Sequence, residues 1–174
     1  MKKIKRQIFM SALFAALVVS FCISMKAQNK MNPDILTEAD LTKVIPTSFY
    51  FAGQSAQTQM RNTAAAKLGD NRFVVVGLVD TSGYSTEISG KYEGFFITDS
   101  PINIGNKTLG TGAYGFGFSA NGNVNIFDLS SKQILSVATK TDAEMKRPRP
   151  VQMTSEAKGV RFYKGKNYVV ISPK

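Results

Sequence analysis

From Ser48 onward the apolar residues fall in short runs rather than at helical spacing. β-Branched and aromatic side chains gather in these runs, and glycine, asparagine and serine cut them at short intervals. That is the pattern of strands joined by tight turns. It predicts strands over Phe49–Ala52, Thr58–Ala65, Arg72–Val79, Tyr92–Thr98, Tyr114–Ala120, Asn123–Leu129, Ile134–Ala138, Val160–Lys164 and Asn167–Ile171. The stretch Gln57–Lys67 would also suit a helix through its alanines. The turn sequence Gly69-Asp70-Asn71 that follows favours a strand.

Ahead of this region the pattern is helical for one short stretch. Thr37-Glu38-Ala39-Asp40 reads as a helix start, with Thr37 as cap, Asp40 at the reciprocal capping position, and Leu41, Val44 and Ile45 as one apolar stripe. Pro46 stops it. Many short strands without intervening helices predict a mainly β fold: an antiparallel β-sandwich or partly closed small barrel with one short N-terminal helix. The expected organisation is a signal peptide over 1–27, an extended leader and short helix over 28–47, and a single β domain over 48–174.

Asn121-Gly122 is the sharpest turn signal, because Asn-Gly favours a two-residue hairpin loop. Such a loop would pair Ala120 with Asn123, Phe118 with Asn125, Phe116 with Phe127 and Tyr114 with Leu129 on one face. The result would be an aromatic wall belonging to the core. The opposite face would carry Gly115, Gly117, Val124, Ile126 and Asp128, its glycines allowing another layer to approach closely.

The N-terminus changes the setting. Lys2, Lys3, Lys5 and Arg6 precede an apolar run from Ile8 to Ile23, and Ser24-Met25-Lys26-Ala27-Gln28 follows. This is the order of a secretory signal, with cleavage expected after Ala27. The run is shorter than the roughly 20 residues a membrane-spanning helix needs. A lipoprotein acylated at Cys22 is the competing reading, and the bulky Phe21 before that cysteine stands against it. Export would leave a periplasmic or secreted chain without a transmembrane span.

Loss of the basic signal lowers the formal charge of +10 to about +5. That surplus is too diffuse to indicate nucleic acid. The lone cysteine lies in the signal, and the sequence contains no histidine or tryptophan. Histidine-dependent nucleophile systems, histidine zinc sites and thiol chemistry are therefore absent from the expected mature chain. No phosphate loop, dinucleotide fingerprint or calcium loop occurs either, so no cofactor or metal is expected.

Carboxylate chemistry remains, with Asp80, Glu87, Glu93, Asp99 and Asp128 as candidates for a glycan hydrolase. Two surface segments are candidates for binding. Val79–Glu87 concentrates Asp80, Ser82, Tyr84 and Glu87 after an apolar strand, as binding loops on β scaffolds often do. Its plain reading is a turn in which Asp80 and Ser82 bond local amides and Gly83 takes a positive φ. Lys146-Arg147-Pro148-Arg149-Pro150 is basic and stiffened by its prolines, hence extended. Lys146, Arg147 and Arg149 could contact an acidic partner, or could simply be a solvated connection within the sheet.

The stretches Gly77–Ser85, Lys91–Gly94, Gly112–Phe118 and Arg147–Pro150 resemble a group of exported bacterial β-rich proteins of unassigned function, over roughly residues 45–174. Ile104–Tyr114 also resembles a strand-turn-strand element of secreted β-sandwich domains. These resemblances imply export and a β fold, and they carry no site residues. The leading expectation is a non-enzymatic exported domain that binds a cell-envelope component or a protein partner. The alternatives are the carboxylate-dependent hydrolase and a purely structural or interaction subunit.

Overall fold

Phe73-Val74-Val75-Val76-Gly77-Leu78-Val79 is an almost unbroken apolar run, which suits a strand covered on both faces. The computed structural model, which describes residues 33–69 and 72–174, places it in that position. Val74 and Val76 point into one core, and Val75 and Val79 into another. The segment 1–27 expected to be a signal, with Cys22 and Ala27, and Asp70 and Asn71 of the expected turn lie outside the described residues.

Among the described residues the chain begins with β1 (Asp34–Ile35), α1 (Glu38–Val44), β2 (Ser48–Phe51), β3 (Gln54–Lys67), β4 (Phe73–Val79), α2 (Thr86–Ser89) and β5 (Gly94–Thr98). It continues through β6 (Ile102–Ile104), β7 (Lys107–Leu109), β8 (Gly112–Phe118), β9 (Asn123–Phe127) and β10 (Gln133–Ala138). The last elements are β11 (Lys140–Thr141), β12 (Arg149–Glu156), β13 (Gly159–Gly165) and β14 (Asn167–Pro173). One sheet has the order β1-β3-β4-β5-β8-β9-β10, with β2 on the first part of β3. The second has the order β12-β13-β14-β6-β7, with β11 on β14. The strand pairs are antiparallel.

The fold is therefore mainly β, built as two antiparallel sheets that are not closed into a barrel. Phe96, Phe116, Val124 and Ile126 of the first sheet meet Val160, Phe162, Val169 and Ile171 of the second. The Phe116 and Phe162 rings pack edge to face at 5.3 Å. The other face of the first sheet is also covered. Ile45, Phe49, Phe51, Tyr84 and Tyr92 bury Val75, Phe95 and Phe127 there, with Leu41 and Ile88 alongside.

Gln57–Lys67 is strand, as its turn signal favours, within the longer β3. The helix departs from expectation in two ways. Thr37 caps no backbone amide; its hydroxyl donates instead to Asp40 Oδ2 at 2.8 Å, while Lys43 takes Asp40 Oδ1 at 3.0 Å. Val44 is exposed rather than part of the apolar stripe, and Ile45, just past the helix end, turns inward. Strands β6, β7, β11 and β12, none of which carries an aromatic residue, lie outside the strands expected from the residue pattern, and α2 is a single turn capped by Ser85.

The hairpin register is a correction. Phe116 pairs with Ile126, Gly117 with Asn125 and Phe118 with Val124, one residue away from the two-residue-loop arrangement. Gly122 donates to the Ser119 carbonyl at 3.0 Å, and Ser119 to that of Asn123 at 2.8 Å. Ala120 and Asn121 keep ordinary φ while Gly122 sits at +79°, the geometry of a three-residue loop closed by glycine. Thr139 holds the loop by donating both its amide and its hydroxyl to the Gly122 carbonyl, each at 2.8 Å. Phe116 and Phe127 consequently lie on opposite faces, each buried in its own core. Leu129 is exposed rather than part of the wall.

Candidate functional site

The chain leaves β4 at Asp80 and crosses the outer face of the first sheet before entering β5. Asp80 Oδ1 accepts the Ser82 amide at 3.0 Å, and the Tyr84 amide donates to Thr81 O at 3.1 Å. These bonds close a turn in which Gly83 does not take a positive φ, contrary to expectation. Ser85 Oγ accepts the Ile88 amide at 3.4 Å and starts α2. Glu87 is exposed and lies 3.5 Å from Lys91 Nζ.

Tyr84 turns inward. Its ring packs edge-on against Phe51 and Tyr92, and its hydroxyl donates to Gln54 O at 3.2 Å. Asp80, Ser82 and Glu87 stay at the surface, so the one aromatic of the four candidates is withdrawn from any ligand they could share.

The other acids hold chain junctions. Asp99 Oδ1 accepts the Phe73 amide at 2.8 Å. Glu93 Oε2 accepts the Phe118 amide at 2.9 Å, and its other oxygen meets Lys164. Asp128 Oδ1 gathers the Ser130 hydroxyl, the Ser130 amide and the Lys132 amide. Donation by Ser130 first, and by Lys132, holds the Asp128 carboxyl below its ordinary range. The Ser82 amide does the same for Asp80. A glycosidase acid needs the opposite shift.

The basic segment behaves differently. The β11–β12 connection is anchored where Tyr163 donates its hydroxyl to Asp142 Oδ2 at 2.9 Å and Gln152 reaches Met145 Sδ at 3.0 Å. Beyond Met145 the chain turns outward, leaving Lys146, Arg147 and Arg149 exposed. Pro150 lacks an amide hydrogen, and the pairing of β12 with β13 shifts register between Arg149 and Gln152.

Arg149 stands between two concavities. One is an open groove of about 660 Å³ lined by Phe118, Ser119, Pro148, Pro150, Lys164 and Asn167 as well as Arg149. Burial pushes the Lys164 ammonium down from its ordinary range. The other is a cleft of about 240 Å³ that Arg149 shares with Arg61, at the edge where β3 meets β12.

Phe118, Lys164 and Arg61 were not legible as site residues. A lysine at a strand end and an arginine in a polar run read as solvated surface. Only Arg149, singled out by its prolines, connects the sequence to these concavities. Among the described residues no cluster of three or more acidic or thiol side chains is placed to hold a metal ion, and no helix is long and apolar enough to cross a membrane. Compared with known protein families, curated proteins and solved structures, the chain matches none.

Proposed function

We propose that the protein is a non-enzymatic binding domain, exported to the envelope, that holds an anionic envelope component in the groove between the β8–β9 hairpin and the start of β12. The observation that carries this reading is Arg149, exposed on the groove wall between two prolines and without a carboxylate partner among the described residues. A planar guanidinium left open in this way suits bidentate contact with a carboxylate or phosphate. Pro148 and Pro150 restrict the backbone that carries it, which reduces the ordering cost on binding. Phe118 adds an apolar surface to the groove, and Lys146 and Arg147 extend the positive charge along the approach.

Co-sedimentation of the purified protein with envelope fragments tests this. Binding should saturate, weaken with salt, and fall about tenfold in the Lys146→Gln/Arg147→Gln/Arg149→Gln variant, with no fragment released into solution. Undiminished binding by that variant, or soluble product from the fragments, would overturn the proposal.

A further inference from the structure

The cleft at the β3–β12 edge has a construction that the groove lacks. β3 pairs Thr58 with Val79 and resumes with Thr63 opposite Gly77, so the residues between them are looped out of the ladder. The loop is fixed by its own bonds. Gln59 Nε2 donates to Val79 O at 2.9 Å, Asn62 Nδ2 to Gln59 Oε1 at 2.8 Å, and Thr63 Oγ1 to Met60 O at 2.9 Å. Its consequence is to lift Met60 and Arg61 out of the sheet and into solvent.

Immediately after the loop, β3 runs through Ala64, whose small side chain on the β12 side leaves room there, while Ala65 turns to the opposite face. The cleft's apolar walls come from Ile35 and Leu41 on one side and Val151 and Met153 on the other. Val151, Met153 and Ala64 also belong to the core between the sheets, so the cleft opens toward that core. Met60 is 41% exposed at the lip. A methionine there gives an adaptable apolar edge.

Charge selects the occupant. Arg61 and Arg149 both line the cleft, and neither side chain has an ion pair or hydrogen bond among the described residues. Glu38 is the one acid of the lining, leaving a surplus of one positive charge. A slot that combines apolar walls with polar ones and two open guanidinium groups complements a molecule that is apolar at one end and anionic at the other.

We infer that this cleft binds a single-chain anionic amphiphile, its hydrocarbon tail lying between β3 and β12 and its head group meeting Arg61 and Arg149. This site is separate from the groove, and Arg149 is the residue the two share.

Calorimetric titration of the full chain with decanoate, decanol and acetate tests the inference. Decanoate should bind saturably, at least about tenfold tighter than decanol, which keeps the tail, and than acetate, which keeps the charge. Arg61→Gln should weaken decanoate about tenfold, and Met60→Ser by several-fold. Both positions are exposed, so an unchanged thermal midpoint would confirm intact folding. Equal affinity for decanol, wild-type affinity in Arg61→Gln, or no saturable decanoate binding would each overturn the inference. Arg61→Gln should leave envelope sedimentation unchanged. A Lys146→Gln/Arg147→Gln variant, which leaves Arg149 in place, should weaken envelope sedimentation while its decanoate affinity stays at the wild-type level, so the two readings fail separately.

Discussion

Two polar connections, Asp80–Glu93 and Asp142–Pro148, look alike in composition and do opposite things. The first carries Tyr84, Ile88 and Tyr92, spaced four apart, and all three pack into the core on the outer face of the first sheet. The second spends its bonds early, at Asp142 and Met145, and then presents Lys146 and Arg147 to solvent, with Arg149 just beyond it. What separates them is large apolar side chains. A loop that has them is drawn down as a covering layer by the area they remove from water, and one without them is free to face a partner.

The covering layer needs a receiving surface, and glycines provide it. A Cβ on Gly117 would lie 1.9 Å from the Lys91 carbonyl oxygen, and one on Gly115 would lie 2.3 Å from the Phe51 ring. The close packing expected for the glycine side of the hairpin is present, and the layer it admits is the Asp80–Glu93 connection together with β2.

This contrast predicts a descending series of effects. Tyr92 is fully buried and stacks on Phe51 at 3.9 Å. Tyr92→Ala should cost about 3–5 kcal/mol in a urea melt. Gly117→Ala forces the Lys91 backbone away and should cost about 3 kcal/mol. A cost under about 1 kcal/mol for either would show that the first connection is not seated as described.

Asp80→Ala removes one turn bond at the surface and should lower the urea midpoint by much less than either of those substitutions. Tyr92→Phe sharpens the picture from the other side. Its hydroxyl is buried without a hydrogen-bond partner among the described residues. Removing it should leave stability unchanged or raise it by up to about 1 kcal/mol.

The Lys146→Gln/Arg147→Gln/Arg149→Gln variant should stay within about 0.5 kcal/mol of the parent. A larger loss would mean that the second connection also carries the fold. The smallest effect concerns acid. The Ser82 amide holds Asp80, and Ser130 and Lys132 hold Asp128, below the ordinary carboxylate value in the folded chain, so the unfolded chain binds their protons more readily. Their contribution is complete above the ordinary carboxylate value and drains away as pH falls through the lowered folded values. Thermal midpoints measured between about pH 6 and about pH 2 should fall less steeply in an Asp80→Asn/Asp128→Asn variant.

Strand content, the antiparallel class and the position of the β8–β9 turn were legible in the sequence, because β-branched and aromatic runs broken by glycine and asparagine encode them locally. The hairpin register was not. Asn121-Gly122 is compatible with a two-residue loop and with a three-residue loop closed by Gly122, and these differ by one residue of register. Hydrophobic alternation usually decides such a case, but both faces of this sheet are buried. Phe116 and Phe127 each find an apolar environment, so alternation favours neither register. Thr139, bonded to the Gly122 carbonyl, fixes the loop from another part of the chain. The same division applies to the candidate sites. Arg149 stood out between its prolines, whereas its neighbours in the groove and cleft, Phe118, Lys164 and Arg61, come from β8, β13 and β3. Residues so distant in sequence share a wall only because antiparallel pairing and the looped-out stretch of β3 bring them there.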